Sequence, residues 1–218
     1  MYSDDTKRKF ENIIRGSVID GGTDNCTATR NFLCTSFSTS TTVKRNFETN
    51  SLIKKEQESA LRDYATTHKL WITRLPQQYL TRGGESEVYL DIDRIHVIKI
   101  NDAIYYATWL EYFNSLVLHN LIFKDTAYTL IGFIDLENIL YTVVRQIFII
   151  ADGQAELEDI RSFLEFNGFQ NTRRQDYFNR EYGLILEDIH DENVIVNSEK
   201  LFFIDTVFYT VAESSGLT

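Results

Sequence analysis

Two neighbouring runs with a period of two residues, between positions 87 and 100, constrain the fold of this chain more than any other feature. The alternating residues are Val88, Leu90 and Ile92 in the first run, and Ile95, Val97 and Lys99 in the second. Such alternation on both sides of a short turn predicts an antiparallel hairpin. A lysine on its apolar face is costly when unpaired. Lys99 is therefore either a functional residue or an edge-strand lysine whose ammonium group reaches water.

The segments around this hairpin follow an order that favours the α+β class. Residues 51–70 have a helical period, and Gly83 and Gly84 form a turn before the hairpin. A long helix is predicted over residues 101–123, with Glu111 near its middle. The later elements are the strands of "YTLIGFI" and "ILYTVVRQIFII", an amphipathic helix ending at Gly168, and three short strands in "YGLILED", "NVIV" and "LFFID". Hairpins rather than β-α-β units connect these strands.

The acidic segment "EDIHDENVIVNSEKLFFIDT" lies between two of the predicted strands. Acidic turns between strands are ordinarily solvent-facing loops. The alternative is that Asp188, Asn193 and Asp205 are spaced to handle the metal ions of a nucleotide. Asp205 follows four apolar residues, and a buried carboxylate must be paired or bind a cation. His190 is equally compatible with a structural and a chemical role.

These residues match the parts that phosphoryl transfer requires. The reaction needs backbone over the phosphates, a cation on them, oxygen ligands for magnesium and a base at the incoming hydroxyl. Asn193 and Asp205 can bind Mg²⁺ through oxygen, and Asp188 can accept the proton.

The other candidate residues for phosphoryl transfer each have a purely structural interpretation as well. Gly83 and Gly84 let backbone amides approach a phosphate, but a Gly-Gly pair alone is typical of a hairpin turn. Lys99 can contact phosphates, and Glu111 on the next helix can hold it. A mid-helix glutamate is also common on a solvated face.

Composition limits the partners of the chain. Its net charge is −10, from 32 acidic and 22 basic residues, so most of its surface repels a phosphate backbone and nucleic acid is an unexpected partner. A nucleotide that brings its own magnesium tolerates acidic surroundings.

No apolar run approaches the roughly 20 residues that span a bilayer, and "MYSDDTKRKF" does not resemble a signal peptide. We therefore expect a cytoplasmic protein without a membrane partner. Cys26 and Cys34 are predicted to be free thiols, because no second pair completes a zinc site.

Several stretches together resemble the eukaryotic-type protein kinase fold. They are "GGESEVYL", "HVIK" and "DIHDEN…FFID". "DIHDEN" is similar to the D-x-H-x-x-N loop of aminoglycoside-phosphotransferase-like kinases. "HNLIFKDTAYTLIGF", "VVRQIFI" and "YGLILEDIHDENVIV" resemble, more narrowly, the small kinase domains in polyvalent proteins of phages and conjugative elements. The resemblance covers roughly residues 52 to 210.

The resemblance implies a truncated bilobal kinase-like fold with an antiparallel N-lobe sheet, a minimal C-lobe and an ATP·Mg²⁺ cleft. The implied domains are a Ser/Thr-rich lead-in or small appended layer at 1–50, an N-lobe at 51–151 and a truncated C-lobe at 152–218. Val88 and Val97 would border the adenine, and Lys99 would contact the α- and β-phosphates. A backbone stretch in residues 146–151, around Ile149, would read the adenine.

The same resemblance gives Asp188 the catalytic role, with Asn193 and Asp205 as metal ligands. Three departures accompany it. Ser86 replaces the third glycine of the phosphate loop, and Glu187 replaces the arginine that precedes the catalytic aspartate in protein kinases. The sequence continues for only thirteen residues after Asp205, so we expect neither an activation segment nor a helical peptide platform.

The function expected on these grounds is phosphoryl transfer from ATP to a protein hydroxyl. The partner would be a protein substrate or the remainder of a larger polyprotein. One alternative is a kinase-fold module that binds a nucleotide or a partner without turnover. Another is a metal-dependent nuclease built on Asp188, Asp205 and Lys200, against which the acidic net charge counts.

Overall fold

The computed structural model describes residues 2–21, 24–37, 47–84 and 86–211, and it confirms the predicted α+β class. The helices are α1 (Asp4–Ile14), α2 (Asn25–Ser36), α3 (Phe47–Thr67), α4 (Trp109–Ile122) and α5 (Leu157–Phe166). The strands are β1 (Gln78–Arg82), β2 (Glu87–Leu90), β3 (His96–Asn101), β4 (Thr129–Leu136), β5 (Ile139–Ile147), β6 (Gln170–Arg173), β7 (Asp176–Asn179), β8 (Leu184–Glu187), β9 (Val194–Asn197), β10 (Lys200–Phe203) and β11 (Val207–Thr210). Among the described residues, no helix combines the length and the apolar character that crossing a membrane requires.

The chain forms two compact units that interleave along the sequence. The first, the Lys99 unit, comprises Gly21–Phe113 and Ala127–Phe148. The second, the Asp188 unit, comprises Met1–Asp20, Asn114–Thr126 and Ile149–Thr218. Each unit has its own antiparallel sheet.

The Lys99 unit is built on a five-stranded sheet with the order β1-β2-β3-β5-β4, in which every neighbouring pair is antiparallel. The predicted β2–β3 hairpin is confirmed, but its strands are shorter than the alternation indicated. Ile92 and Ile95 lie in the connection, and Ile92 is 94% exposed. The apolar alternation in the sequence therefore extends beyond the paired residues of the two strands.

Side chains alternate across this sheet and give it two different faces. One face carries the apolar cluster Ile98, Ile100, Ile134 and Val143, against which Ile72, Leu75 and Tyr89 pack. The opposite face carries Val97 and Lys99, which are both buried. The hydrophobic cluster thus stabilises the strand that holds the lysine without using the lysine's own face.

The β4–β5 hairpin was also predicted correctly, and its turn has a clear cause. Glu137 and Asn138 have φ values of 55° and 66°, as a two-residue type I′ turn requires. Gly132 lies at a bulge in β4. The backbone of residues 70–72 bonds to Phe133 beside it, and a Cβ at Gly132 would collide with the carbonyl oxygen of Leu70.

Helix α4 begins at Trp109, so the predicted start near residue 101 was wrong, and Glu111 lies in the first turn rather than near the middle. The Glu111 amide donates to Thr108 Oγ1 at 3.1 Å, and the Ala107 amide donates to Glu111 Oε2 at 3.0 Å. Thr108 and Glu111 thus share the helix-start pattern of Ser/Thr followed three residues later by Glu.

The Asp188 unit contains a four-stranded sheet with the order β11-β8-β7-β6 and a separate β9–β10 hairpin. Its core is aromatic: Phe123 stacks on Phe203 at 4.3 Å, and Phe163 lies 5.1 Å from Phe203. The three short strands predicted near the C-terminus are β8, β9 and β10, whereas β6, β7 and β11 were not predicted.

The predicted stop of α5 at Gly168 is confirmed. Gly168 has φ +84°, its amide donates to Glu165 O at 3.0 Å, and the Phe169 amide donates to Leu164 O at 3.0 Å. These bonds form a Schellman motif, which satisfies carbonyls that the helix leaves open.

Residues 1–50, predicted to be a Ser/Thr-rich lead-in or a small appended layer, contain α1, α2 and the start of α3 in their described part. Asp24 caps α2 by accepting a bond from the Thr27 amide at 2.9 Å. The Asn25 side-chain amide donates to Leu130 O at 3.1 Å and ties α2 to β4. Cys26 and Cys34 are not joined by a disulfide, as predicted, and both are buried.

Candidate active site

Lys99 lies in the central strand of the Lys99 unit, so the edge-strand interpretation is wrong. Strand β3 is flanked by β2 and β5, with Lys99 opposite Val88 on one side and Val144 on the other. Lys99 is 5% exposed, and its Nζ lies 5.6 Å from the centroid of the Tyr128 ring. The aromatic face compensates part of the cost of burying the ammonium group.

Val88 and Val97 lie on the same face of the sheet as Lys99. Val88 pairs directly with Lys99 across β2 and β3, and Val97 lies two residues before Lys99 on the same strand. Val97 is buried and Val88 is half-buried. Within this unit the structure therefore brings together the two residues predicted to border the adenine and the predicted phosphate-binding lysine.

The glycine turn joins β1 to β2, as a loop that covers phosphates would. Gly83 and Gly84 are exposed, and the Gly83 amide donates to Ser86 O at 2.9 Å. A Cβ on Gly84 would meet nothing within 4 Å. The turn is thus open at Gly84.

Ser86 has a structural reason for replacing a glycine. It is buried, and its Oγ accepts a hydrogen bond from Asn101 Nδ2 at 3.2 Å. Asn101 ends β3, so the bond fixes the end of the turn to the lysine strand. The link joins residues 15 positions apart, and no local pattern could have revealed it.

Glu111 has a second lysine in its surroundings that the sequence did not single out. Lys54 Nζ donates to the carbonyl oxygens of Ala103 at 2.5 Å and Tyr106 at 3.0 Å. Burial lowers the pKa of Lys54, and the charges of Asp102, Glu58 and Glu111 oppose that shift. The predicted ion pair between Lys99 and Glu111 stays a prediction.

In the Asp188 unit, Asp188 follows the last residue of β8 and has the left-handed value φ 61°. Aspartate tolerates this region better than most residues. The next residue, Ile189, is fully buried and its amide donates to Gln175 O at 3.1 Å. Because Ile189 anchors the loop, the Asp188 side chain is directed outward, where it is 66% exposed.

Asn193 contacts Asp188 in a way that leaves one of its own atoms available. Asn193 Nδ2 donates to Asp188 O at 2.9 Å and lies 3.4 Å from Asp188 Oδ2. With the nitrogen used, Asn193 Oδ1 is available as an oxygen ligand. The chemistry of this oxygen suits a hard cation such as Mg²⁺.

His190 organises the turn between these two residues. Its Nδ1 accepts a bond from the Glu192 amide at 3.2 Å. Its Nε2 lies 3.1 Å from Asn193 Nδ2 and 3.4 Å from Asp188 Oδ1. The ring therefore contacts both predicted functional side chains.

Asp205 follows the β9–β10 hairpin, in which Val194 pairs with Phe203. The Ile204 amide donates to Asn193 O at 3.0 Å and closes the hairpin. The expectation that Asp205 ends a buried strand was wrong: it lies two residues beyond β10 and is half-buried. The two predicted metal ligands thus flank one short hairpin, and a carboxylate that is partly open to water remains able to bind a cation.

Further acids surround the loop that contains Asp188 and Asn193. The Asp188 amide approaches Asp176 Oδ1 at 3.4 Å. Partial burial raises the pKa of Glu187, and the negative charges of Asp176 and Asp188 raise it further. A bound cation would relieve this repulsion, so the donor set fits Mg²⁺.

Lys200, the basic residue of the nuclease alternative, is bonded elsewhere. Its Nζ donates to Asp125 Oδ2 at 2.6 Å on the surface of the same unit.

The stretch predicted to read adenine begins where β5 ends at Ile147. The Phe148 amide donates to Ile95 O at 2.9 Å, and Ile150 O accepts a bond from Asn197 Nδ2 at 3.0 Å. Half-buried Ile149 lies between these two anchored residues. Its role in reading adenine stays a prediction.

A cavity of about 770 Å³ in the Lys99 unit is not part of this site. Its lining includes Ile98 and Val143 from the face opposite Lys99. Asp91, Asp93 and His96, whose geometry would permit a metal ion, lie outside the predicted site as well. Arg145 already forms ion pairs with Asp91 and Asp93.

Comparison with known proteins supplies the family-level finding. Residues 54–212 match the family described as a serine/threonine/tyrosine kinase found in polyvalent proteins. A search of curated proteins found no match. The matched segment contains every predicted site residue, from Gly83 to Asp205.

Proposed function

The chain belongs to the family of serine/threonine/tyrosine kinases found in polyvalent proteins, and on this premise we propose that it transfers the γ-phosphoryl group of ATP to a protein hydroxyl. The observation that carries the proposal is the bonding of Asn193 to Asp188, at 2.9 Å to its backbone and 3.4 Å to its carboxylate. This contact holds a proton acceptor next to a metal-ligand candidate. Phosphoryl transfer requires these two groups together.

Asp188 acts as the base for the incoming hydroxyl. The hydroxyl oxygen forms a bond to the γ-phosphorus, the bond from that phosphorus to the β–γ bridging oxygen breaks, and ADP leaves with the bridging electrons. The hydroxyl proton passes to Asp188, whose exposed carboxylate an acceptor side chain can reach. His190 and Asn193 keep the carboxylate oriented through their contacts with it.

The remaining residues bind ATP and its metal. Lys99 contacts the phosphates, and the Gly83-Gly84 turn offers backbone amides to them. Asn193 and Asp205 supply oxygen ligands to Mg²⁺, which when bound neutralises phosphate charge. Val88 and Val97 offer apolar surface to the adenine from the face that carries Lys99.

The protein acceptor is either a separate substrate or another part of a larger polyprotein. A module that binds a nucleotide or a partner without turnover is the second candidate. Ser86 favours it, because its bond to Asn101 fixes the end of a turn that a phosphate-binding loop would need to adjust.

A two-step experiment on the wild-type protein separates these functions. First, its melting temperature is followed in three titrations: ATP with Mg²⁺, ATP with excess chelator, and adenosine with Mg²⁺. A ligand that binds only the folded state raises apparent stability by RT ln(1 + [L]/Kd), so ATP with Mg²⁺ should raise it most. Second, transfer of labelled γ-phosphate to the chain itself and to a mixed protein extract is measured.

Stabilisation together with transfer supports the kinase. Stabilisation without transfer to any acceptor supports the binding module. Absence of both overturns the two proposals.

A further inference from the structure

We propose that buried His119 and Thr126 are positioning residues that fix the Asp205 segment through Thr206, which follows Asp205, and Phe203, which lies two residues before it. The inference rests on the proposed function of Asp205 as a metal ligand. All of these residues belong to the Asp188 unit.

The first contact joins His119, in α4, to the residue that follows Asp205. His119 is fully buried, and its Nδ1 lies 2.7 Å from Thr206 Oγ1. Its Nε2 lies 2.9 Å from Thr126 O, and a carbonyl oxygen can only accept. Nε2 therefore carries the proton, and in the neutral ring Nδ1 accepts a hydrogen bond from the Thr206 hydroxyl.

The second contact holds the other side of Asp205. Thr126 Oγ1 donates to Phe203 O at 2.5 Å, and both residues are buried. The Ile204 amide is bonded to Asn193 O. Residues 203, 204 and 206 thus each have a bonded partner, and the half-buried Asp205 projects from a backbone that is fixed before and after it.

A third bond reinforces the link to α4. The Phe208 amide donates to Ser115 Oγ at 2.9 Å, and Ser115 is buried. Ser115 and His119 are one helical turn apart, so they lie on the same side of α4. They bond at two positions to the segment that follows Asp205.

The loss of a residue that only fills the core and the loss of a positioning residue have different expected effects. Loss of a packing residue lowers stability and leaves metal affinity alone. Loss of a positioning bond lets Asp205 move, so ligand binding weakens even where the protein is fully folded. Partners that orient metal ligands commonly change metal affinity when removed.

The test compares Thr206→Val, which keeps shape and removes the hydroxyl, with Thr206→Ser, which keeps the hydroxyl. Thr142→Val is the matched control: Thr142 is also buried, and its Oγ1 lies 2.6 Å from Tyr112 Oη of α4 in the Lys99 unit. The readout is the Mg²⁺ concentration that gives half of the ATP-dependent increase in the free energy of unfolding. It is measured by denaturant unfolding at a temperature well below the melting temperature. We expect Thr206→Val to raise this concentration about threefold to tenfold, the range expected for one lost hydrogen bond.

Thr206→Ser should keep the wild-type Mg²⁺ half-saturation. Thr142→Val should lower the melting temperature and leave the Mg²⁺ half-saturation unchanged. An unchanged half-saturation in Thr206→Val would overturn the positioning role. A second readout does not need ATP or metal: hydrogen exchange of the amides of residues 204–206 should be about threefold to tenfold faster in Thr206→Val than in Thr142→Val.

The two readouts distinguish failure of the proposed function from failure of the positioning role. If wild type shows no Mg²⁺-dependent stabilisation, the proposed function fails, and the hydrogen-exchange comparison alone decides the positioning claim. Equal exchange in the two valine variants would then overturn it.

Discussion

The side-chain amide of Asn193 donates to the backbone carbonyl oxygen of Asp188 at 2.9 Å and lies 3.4 Å from its Oδ2. One side chain thus holds both the main chain and the carboxylate of the proposed base. The contact occurs where Asp188 adopts a left-handed backbone conformation, with φ 61°. Strained conformations persist when their surroundings hold them, and they cluster at functional sites.

Replacement of Asp188 by Asn should abolish transfer and preserve binding. Asparagine keeps an oxygen acceptor for Asn193 and tolerates the left-handed conformation, so the loop should remain intact. Because the base acts only in the transition state, kcat and kcat/KM should fall together by about 10²- to 10⁴-fold. The measurement is phosphate transfer at saturating ATP·Mg²⁺, with thermal stabilisation as the binding control. A variant as fast as wild type would exclude Asp188 as the base.

Replacement of Asp205 by Ala should remove the Mg²⁺-dependent part of the stabilisation by ATP while the protein stays folded. The residue is half-buried and lies outside the strands, so its loss opens no core cavity. Asp159→Ala is a matched control, because Asp159 is an exposed acid on α5 of the same unit. Equal stabilisation of the two variants by ATP·Mg²⁺ would rule out Asp205 as a ligand.

Lys99 and Glu111 should be energetically coupled in ATP binding. Glutamine at 111 keeps an oxygen for the Ala107 amide, so Glu111→Gln should preserve the start of α4. In a double-mutant cycle with Lys99→Met, we expect a coupling of about 1 kcal/mol in ATP affinity, as for residues in contact. Additive effects of the two changes would contradict the ion pair. Lys54→Met serves as the comparison, because Lys54 also feels the charge of Glu111.

Glu187→Gln should stabilise the protein near neutral pH. Burial and the charges of Asp176 and Asp188 raise the pKa of Glu187 above its ordinary 4.5, so the folded state binds this proton more tightly than the unfolded state. The stability that the protonated group contributes is present below pH 4.5 and is lost as the pH rises through the folded pKa. The advantage of glutamine should therefore appear above that range and vanish below it.

We expect this gain to stay below about 1 kcal/mol, because water screens a partly exposed charge. Denaturant unfolding of both proteins between about pH 4 and 7 measures it. A difference that does not change with pH would contradict the prediction.

Gly132→Ala should destabilise the Lys99 unit by more than about 2 kcal/mol, since the new methyl group collides with the backbone at Leu70 rather than with a movable side chain. Gly153→Ala is the control. Its Cβ would meet Val196 at an ordinary 3.6 Å, and we expect a change within about 0.5 kcal/mol. Similar melting temperatures for the two variants would contradict the close approach at Gly132.

Local patterns predicted the parts of the fold whose cause is local. Alternation identified the β2–β3 and β4–β5 hairpins, and Gly168 identified the end of α5. The same reasoning missed β6, because "QNTR" is exposed throughout and carries no apolar alternation. It also placed the start of α4 too early. The mainly apolar stretch 103–109 continues the helical pattern, whereas the Thr108 and Glu111 bonds set the boundary.

The sequence was sufficient to name the candidate residues of the site, but not the hydrogen bonds that hold them in place. Asp188, Asn193 and Asp205 stand in a recognisable order. The bond of Ser86 to Asn101 and that of His119 to Thr206 join residues 15 and 87 positions apart. Such pairs depend on tertiary packing, which a single sequence does not contain.

The β9–β10 hairpin has a consequence for how this site should be sought in other chains. Asn193 and Asp205 are twelve positions apart, but the Ile204–Asn193 bond closes the hairpin whatever its length. Extending both strands equally would change the interval between the two residues and leave the base of the hairpin unaltered. A search motif with a fixed interval would therefore overlook relatives with longer hairpins. A motif that requires an asparagine, two mainly apolar runs of equal length and then an isoleucine-aspartate pair would retain them.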